Sequence, residues 1–101
     1  MADPLLTAAD VATVTFPSTR FREGYDIADV TQLLALVSDT LAGYERPRGQ
    51  LTSRPRGGML AGEVVAARFT PTKFRAGWDQ DAVDTYLDRI VATLRAHERS
   101  Q

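Results

Sequence analysis

The stretch STRFREGYD, Ser18–Asp26, is written a second time 53 residues further on as PTKFRAGWD, Pro71–Asp79. Residues 11–45 align with residues 64–98 without a gap, and 12 of the 35 aligned pairs are identical. The Phe, Arg, Gly and Asp of the two quoted stretches are among the identical pairs. Self-similarity at a fixed spacing indicates one supersecondary unit that the chain uses twice.

The residues between the two copies differ in composition from the rest of the chain. The linker Arg46–Gly58 holds four of the twelve basic residues and no acid, and its Pro and Gly residues disfavour a helix. We therefore predict a first repeat at residues 5–45, this linker at 46–58, and a second repeat at 59–99. The linker is either a solvated spacer or a basic contact for anionic lipid or nucleic acid. Four Arg residues without interleaved aromatics are a weak nucleic-acid signal, so we expect no nucleic-acid partner.

Composition argues against several functional classes. The 101 residues, 44% of them hydrophobic, suit one small domain or two very small units. The chain has no Cys and one His, His97, which argues against disulfides, thiol nucleophiles and metal sites. No apolar run approaches the roughly 20 residues of a membrane span, and the N-terminus does not resemble a signal peptide, so we expect a cytoplasmic protein. No catalytic constellation is evident, so we expect neither enzymatic activity nor a cofactor.

Each copy is predicted to fold as a short helix, a loop and a longer helix. Asp26 and Asp79 follow the loops and can cap the long helices, since a carboxylate accepts from the free N–H groups of a first turn. Gly24 and Gly77 are expected to supply a positive φ in the loops. The predicted helices are, in chain order, about Thr7–Thr13, Ile27–Glu45, Leu60–Ala67 and Gln80–Arg99.

The two long helices carry apolar residues at alternating spacings of four and three, which is typical of a coiled-coil seam. An isolated helix of this length is marginal, so each seam needs a partner. We predict an all-α fold in which the long helices pair as a short parallel coiled coil, an intramolecular pseudo-dimer. A homodimer formed through the same seams is the alternative. The seam residues are Val30, Leu34, Val37 and Leu41 in the first copy and Val83, Leu87, Ile90 and Leu94 in the second.

The pattern L-T-x-x-D-V-x-x-x-x-F…FRxGYD…V…LL, from Leu6 to Leu34, resembles the N-terminal domain of DivIVA and of its relative GpsB. The second copy, from Phe69 to Ile90, is closer still, and the resemblance covers nearly the whole chain outside the linker. It implies a DivIVA-domain repeat protein of the kind found in actinobacteria. Such a protein would be a cytoplasmic scaffold or adaptor in cell division or polar growth, at the inner face of the membrane at a septum or pole. Its partners would be cell-division or cell-wall synthesis proteins with cytoplasmic tails, or DivIVA-like proteins.

The resemblance implies a first candidate site in the two loops. In DivIVA the loop Phe and the Arg after it contact the membrane, and the matching residues are Phe21, Arg22, Phe74 and Arg75. An aromatic ring can insert at the interface while the cations meet anionic headgroups. Peripheral membrane binding is therefore the alternative function. The other interpretation packs both Phe rings beneath the loops, since a Phe is more often buried than exposed.

The resemblance implies a second candidate site on the second long helix. In GpsB an aromatic residue and two acids receive an Arg from a partner's cytoplasmic tail, and the matching residues are Trp78, Asp84 and Asp88. The two acids are four apart and therefore lie on one helix face, where they could hold a guanidinium while the aromatic stacks on it. The first copy has Thr31 and Ala35 where these acids stand. The alternative is a solvated acidic helix face.

Overall fold

The computed structural model describes residues 5–45 and 58–99, and the predicted linker lies outside them except for Gly58. Each copy supplies a short helix, two very short strands and a long helix in the same order. The elements are α1 (Ala8–Thr13), β1 (Ser18–Thr19), β2 (Gly24–Tyr25), α2 (Ile27–Tyr44), α3 (Ala61–Ala66), β3 (Pro71–Thr72), β4 (Gly77–Asp79) and α4 (Gln80–Arg99).

Side chains at the helix starts explain where three of the helices begin. The Thr7 hydroxyl accepts from the Asp10 N–H at 3.1 Å while the Asp10 carboxylate accepts from the Thr7 N–H at 3.0 Å, a reciprocal capping box. Asp26 and Asp79 cap the first turns of α2 and α4. Each accepts from the N–H group three residues further on, at 3.0 and 2.9 Å. The helices therefore lie close to the bounds that the sequence predicts.

The segments between the helices form a four-stranded antiparallel sheet, so the predicted all-α class is wrong and the fold is mixed α/β. The strand order is β1-β4-β2-β3, in which strands of the two copies alternate, and Tyr25 lies opposite Trp78 in the central pair. Each strand has only two or three residues. Such strands are too short to show the alternating pattern that reveals a strand in a sequence, and their partners lie in the other copy.

The two loop glycines are required by close approach of neighbouring groups. A Cβ on Gly24 would collide with the Thr19 hydroxyl, and one on Gly77 would collide with the Thr72 hydroxyl. Neither glycine has a positive φ, so the predicted reason for their presence is wrong. Among the described non-glycine residues the positive φ belongs to Phe74, at 66°.

The core lies mainly between each long helix and the short helix of the same copy. Helix α2 packs chiefly on α1 and α4 on α3, while the direct contact between α2 and α4 is smaller. The predicted coiled coil is therefore wrong. The buried face of α2 also includes Leu33 and Thr40, so it is wider than a two-position seam and suits a globular core. Of the predicted seam, Leu87 is only half-buried, and the others belong to this core: Val30, Leu34, Val37, Leu41, Val83, Ile90 and Leu94.

The two copies contact each other through hydrogen bonds that repeat at equivalent positions. The hydroxyl of Thr93 accepts from the Leu6 N–H at 3.2 Å, and the hydroxyl of Thr40 accepts from the Met59 N–H at 2.9 Å. The segment before each short helix is thus bound to the long helix of the other copy. These reciprocal bonds relate the copies by an approximate twofold rotation.

Within each copy, the Glu at the end of the long helix binds the start of the short helix. The Ala8 N–H donates to Glu45 at 2.7 Å, and the Ala61 N–H donates to Glu98 at 2.8 Å. A carboxylate at a helix N-terminus satisfies a free N–H group and suits the positive end of the helix dipole. Each copy is therefore a closed helical hairpin with the sheet at its other end.

Candidate functional site

A surface groove, here called the second-copy groove, runs between α3 and α4. Its walls are mostly apolar and aromatic, and two carboxylates lie along one side. Because α3 supplies one wall and α4 the other, the helical hairpin itself shapes the groove. The residues that line it are Tyr25, Val64, Val65, Ala67, Arg68, Phe69, Asp84, Leu87, Asp88 and Val91.

Tyr25 enters this groove from the other copy. It lies in β2, whose pairing with β3 and β4 carries it across to the second copy. Its hydroxyl donates to an Asp84 carboxylate oxygen at 2.8 Å, and its ring packs on Phe69 with centroids 5.1 Å apart. The exchange of strands therefore places an aromatic of the first copy beside the acids of the second.

The environment of Tyr25 keeps its hydroxyl protonated. Burial, the hydrogen bond to Asp84 and the negative charges of Asp84 and Asp81 raise the pKa of Tyr25 to about 12, and Arg68 opposes the shift. The phenol, which is neutral at neutral pH at its ordinary pKa as well, therefore stays a donor to Asp84 to a higher pH than an unperturbed tyrosine would.

Trp78 lies elsewhere. It lines the first-copy groove between α1 and α2, together with Thr31 and Ala35. Its ring packs edge-to-face on Phe16, with centroids 5.1 Å apart. Trp78 thus faces the two positions at which the first copy has no acid.

The predicted set of one aromatic and two acids is therefore assembled with a different aromatic. Asp84 and Asp88 line one groove as predicted, but Tyr25 accompanies them instead of Trp78. The sequence-based assignment took the aromatic and the acids from the same copy. Because strands of the two copies alternate in the sheet, Tyr25 and Trp78 each line the groove of the other copy. No local feature of the sequence signals this exchange.

The two acids of the second-copy groove form no ion pair among the described residues. Asp84 and Asp88 are exposed, stand one turn apart and form no ion pair there. Like charges at this spacing destabilise a helix by about 0.2–0.5 kcal/mol. Arg68 is the one cation that lines the groove, and its guanidinium donates to the carbonyls of Val65 and Ala67, at 3.2 and 2.9 Å. The groove is therefore an apolar channel in which two acids on one side stand outside any ion pair of the described residues.

The two loop arginines join the copies at the sheet. Arg22 donates to Asp79, and Arg75 donates to Asp26 at 3.0 Å. The hydrogen bond from Arg22 is the main cause of the lowered pKa of Asp79. The pKa of Asp26 is lowered first by the Asp29 N–H and then by Arg75. Each arginine is therefore bound to the capping Asp of the other copy.

The two loop phenylalanines lie in solvent at the tip of the sheet. Phe21 is 77% exposed and Phe74 is 72% exposed. The ammonium of Lys73 lies 5.4 Å from the Phe74 ring centroid. With both predicted arginines in ion pairs, the cations left at the tip are Arg20 and Lys73, which form no ion pair among the described residues.

None of the described helices is long and apolar enough to cross a membrane. Across residues 5–45 and 58–99, no group of three or more His, Asp or Glu side chains is placed to hold a metal ion. No family model matches the chain, and neither does any curated protein or solved structure.

Proposed function

We propose that the chain is a non-enzymatic adaptor that binds an Arg-bearing peptide of a partner protein in the second-copy groove. The observation that carries the proposal is the hydrogen bond between Tyr25 and Asp84, which holds an aromatic ring beside two carboxylates that form no ion pair among the described residues. Paired carboxylates bind a guanidinium through charge-assisted hydrogen bonds, and a ring offers it a stacking face. Apolar walls such as Val64 and Leu87 would accept the side chains that flank the Arg.

The resemblance to DivIVA and GpsB supports a role in bacterial cell division or polar growth. The partners would then be division or cell-wall synthesis proteins with cytoplasmic tails, or DivIVA-like proteins. A fluorescent fusion expressed in the native cell tests this setting. Foci at septa or poles are expected, and a uniform signal throughout the cell cycle contradicts the role.

Selection of short random peptides displayed on phage tests the groove without knowledge of the partner. We expect the selected peptides to share an Arg. In a fluorescence anisotropy titration, Lys in place of that Arg should weaken binding and Gln should abolish it, because only Arg makes a planar bidentate pair. Selection of peptides without Arg, or equal binding of the three versions, contradicts the proposal.

Five variants assign the binding to residues. Asp84→Asn and Asp88→Asn should each weaken binding of the selected peptide tenfold or more. Asp39→Asn, which removes the same charge from α2, should leave it unchanged. Tyr25→Phe should weaken binding while Trp78→Phe does not, since Trp78 lines the other groove. The reverse order for the two aromatic variants would move the site to the first-copy groove.

A second candidate function, peripheral membrane binding, is favoured by the exposed Phe pair at the sheet tip. Exposed aromatic rings beside Arg20 and Lys73 suit insertion at an anionic lipid surface. We expect the chain to sediment with anionic vesicles more than with neutral ones, and the double variant Phe21→Ser with Phe74→Ser to lose this binding. Leu36→Ser removes another exposed apolar side chain away from the tip and should have no effect. Absence of vesicle binding by the unchanged chain rejects this function.

A further inference from the structure

The solvent-facing side of α2 carries almost no charge. Asp39 is the single charged residue among its seven exposed positions. The same seven positions of α4 are also exposed, and five of them are charged, Asp81, Asp84, Asp88, Arg89 and Arg95. A helix face that meets only water is normally rich in charge. The exposed positions of α2, here called the α2 outer face, are Ala28, Thr31, Gln32, Ala35, Leu36, Asp39 and Ala42.

The α2 outer face adjoins further apolar surface. The side chain of Leu36 is 51% exposed on one flank. On the other flank Thr31, Ala35 and Asp39 also line the first-copy groove, whose walls include Val14. The α2 outer face therefore continues on both flanks into surface that carries no charge other than Asp39.

We propose that the α2 outer face binds the same face of a second copy of this chain, with the two α2 helices antiparallel across a twofold axis at Ala35. In such a pairing a residue that follows Ala35 by a given number of positions in one copy lies opposite the residue that precedes Ala35 by the same number in the other copy. Ala28 then meets Ala42 at both ends and Ala35 meets itself. Small side chains at these three layers allow two helices to approach closely, and a twofold contact uses one surface patch on both partners.

The position of Asp39, the one charged residue of the α2 outer face, favours the antiparallel arrangement over a parallel one. Asp39 and Thr31 are each four residues from Ala35, so each Asp39 carboxylate meets a Thr31 hydroxyl, which can donate to it. A parallel pairing in register would instead bring Asp39 against Asp39 in a partly desolvated contact, which like charges disfavour. If two α4 helices paired in the equivalent antiparallel way, Asp88 of one copy would lie against Asp88 of the other. The self-complementary face is therefore that of α2.

The size of the face sets the strength of the association. The 18 residues of α2 span about 27 Å at about 1.5 Å per residue. One helix face with its flanks buries less than the roughly 800 Å² per partner of a standard interface. We therefore expect a weak, reversible dimer.

Sedimentation equilibrium over a concentration series tests the dimer. The mass should be 11.1 kDa at low concentration and rise toward twice that value as concentration increases. Ala35→Arg places two guanidinium groups at the axis and should weaken association at least tenfold. Ala92→Arg makes the same change at an exposed position of α4 and should leave it unchanged, with circular dichroism confirming that both variants fold. A mass that stays at 11.1 kDa up to millimolar concentration, or association lost through Ala92→Arg and kept in Ala35→Arg, overturns the proposal.

Single Cys substitutions test the direction of the helices, since the chain has no Cys of its own. Ala35→Cys should oxidise to a disulfide-linked dimer. Ala28→Cys should not, because in the antiparallel pairing the two copies of residue 28 are about 21 Å apart along the helix, far beyond the reach of a disulfide. The double variant Ala28→Cys with Ala42→Cys should link efficiently. Linking of Ala28→Cys alone as readily as Ala35→Cys overturns the antiparallel twofold.

Discussion

The rings of Tyr44 and His97 stack face to face, with centroids 4.5 Å apart and planes inclined by 3°. The two residues occupy equivalent positions in the two copies, 53 residues apart, so the stack lies on the approximate twofold axis. Tyr25 and Trp78, also equivalent, meet at the other end of the long helices. The helices α2 and α4 therefore run in the same direction, and equivalent residues join them at both ends.

The ring stack should contribute to stability because it ties together the ends of two helices that touch little elsewhere. We expect His97→Ala to lower the free energy of unfolding by about 0.5–1.5 kcal/mol, the range for paired aromatic rings. Arg95→Ala, an exposed position on the same helix, should change it by no more than about 0.5 kcal/mol. Urea unfolding followed by circular dichroism measures both. Equal effects of the two variants would show that the stack adds nothing.

Gly24, Gly77 and Gly62 should respond to Ala in opposite directions. Gly24→Ala and Gly77→Ala drive a methyl group into the Thr19 and Thr72 hydroxyls, so we expect losses of about 1–3 kcal/mol. Gly62→Ala meets open space within α3 and should gain up to about 1 kcal/mol from better helix propensity.

A double variant separates the collision from other causes. Thr72→Ala removes the hydroxyl that Gly77→Ala would strike, so the two changes together should cost less than the sum of the single changes. Additive losses in urea unfolding would place the cause in the other close contact of the added Cβ, the Tyr25 carbonyl oxygen at 3.0 Å.

The ion pairs between the copies predict how stability depends on pH. The pKa of both Asp79 and Asp26 is lowered in the folded chain, so each carboxylate stabilises the fold at pH above its unfolded value of about 3.9. That stability is lost as the pH falls through the lowered folded values. We therefore expect urea midpoints to be flat from neutral pH to about pH 5 and to fall below about pH 4.

Removal of the arginines tests the cause of this acid sensitivity. The double variant Arg22→Gln with Arg75→Gln should be less stable at neutral pH, and its urea midpoint should fall less between pH 5 and pH 3. Arg95→Gln removes an exposed charge that forms no ion pair among the described residues. The urea midpoint of this variant should fall between pH 5 and pH 3 as much as that of the unchanged chain. If the urea midpoint of the double variant falls as much between pH 5 and pH 3 as that of the unchanged chain, the acid sensitivity comes from other carboxylates.

The helices could be predicted from the sequence because their determinants are local. Capping residues such as Asp26 and Asp79 stand next to the helices they start, and a helical period is visible over 18 to 20 residues. The carboxylates of Asp84 and Asp88 could be placed together for the same reason, since a spacing of four fixes a shared face.

The sheet and the aromatic of the site depend on contacts between the copies, which no local pattern specifies. Two-residue strands have no period, and the exchange that brings Tyr25 to Asp84 joins residues 59 apart in the chain. One signal could have pointed to these contacts. Thr40 and Thr93 are identical polar residues on the buried side of both long helices, and a buried hydroxyl that donates along its own helix can still accept from another segment.

The backbone of Phe74 has a φ of 66°, whereas the φ of Phe21, its equivalent in the first copy, is not positive. A side chain in this region costs roughly 1–2 kcal/mol, which Gly avoids. Both rings are largely exposed, so neither gains much from burial. We therefore expect Phe74→Gly to leave stability unchanged or to raise it, and Phe21→Gly to lower it by about 0.5–1 kcal/mol. Urea unfolding checks the difference, and equal losses would mean that the positive φ carries no strain.

If the tip binds lipid, both variants should also bind anionic vesicles less. A more stable Phe74→Gly variant with weaker vesicle binding would show that this side chain serves the surface and not the fold.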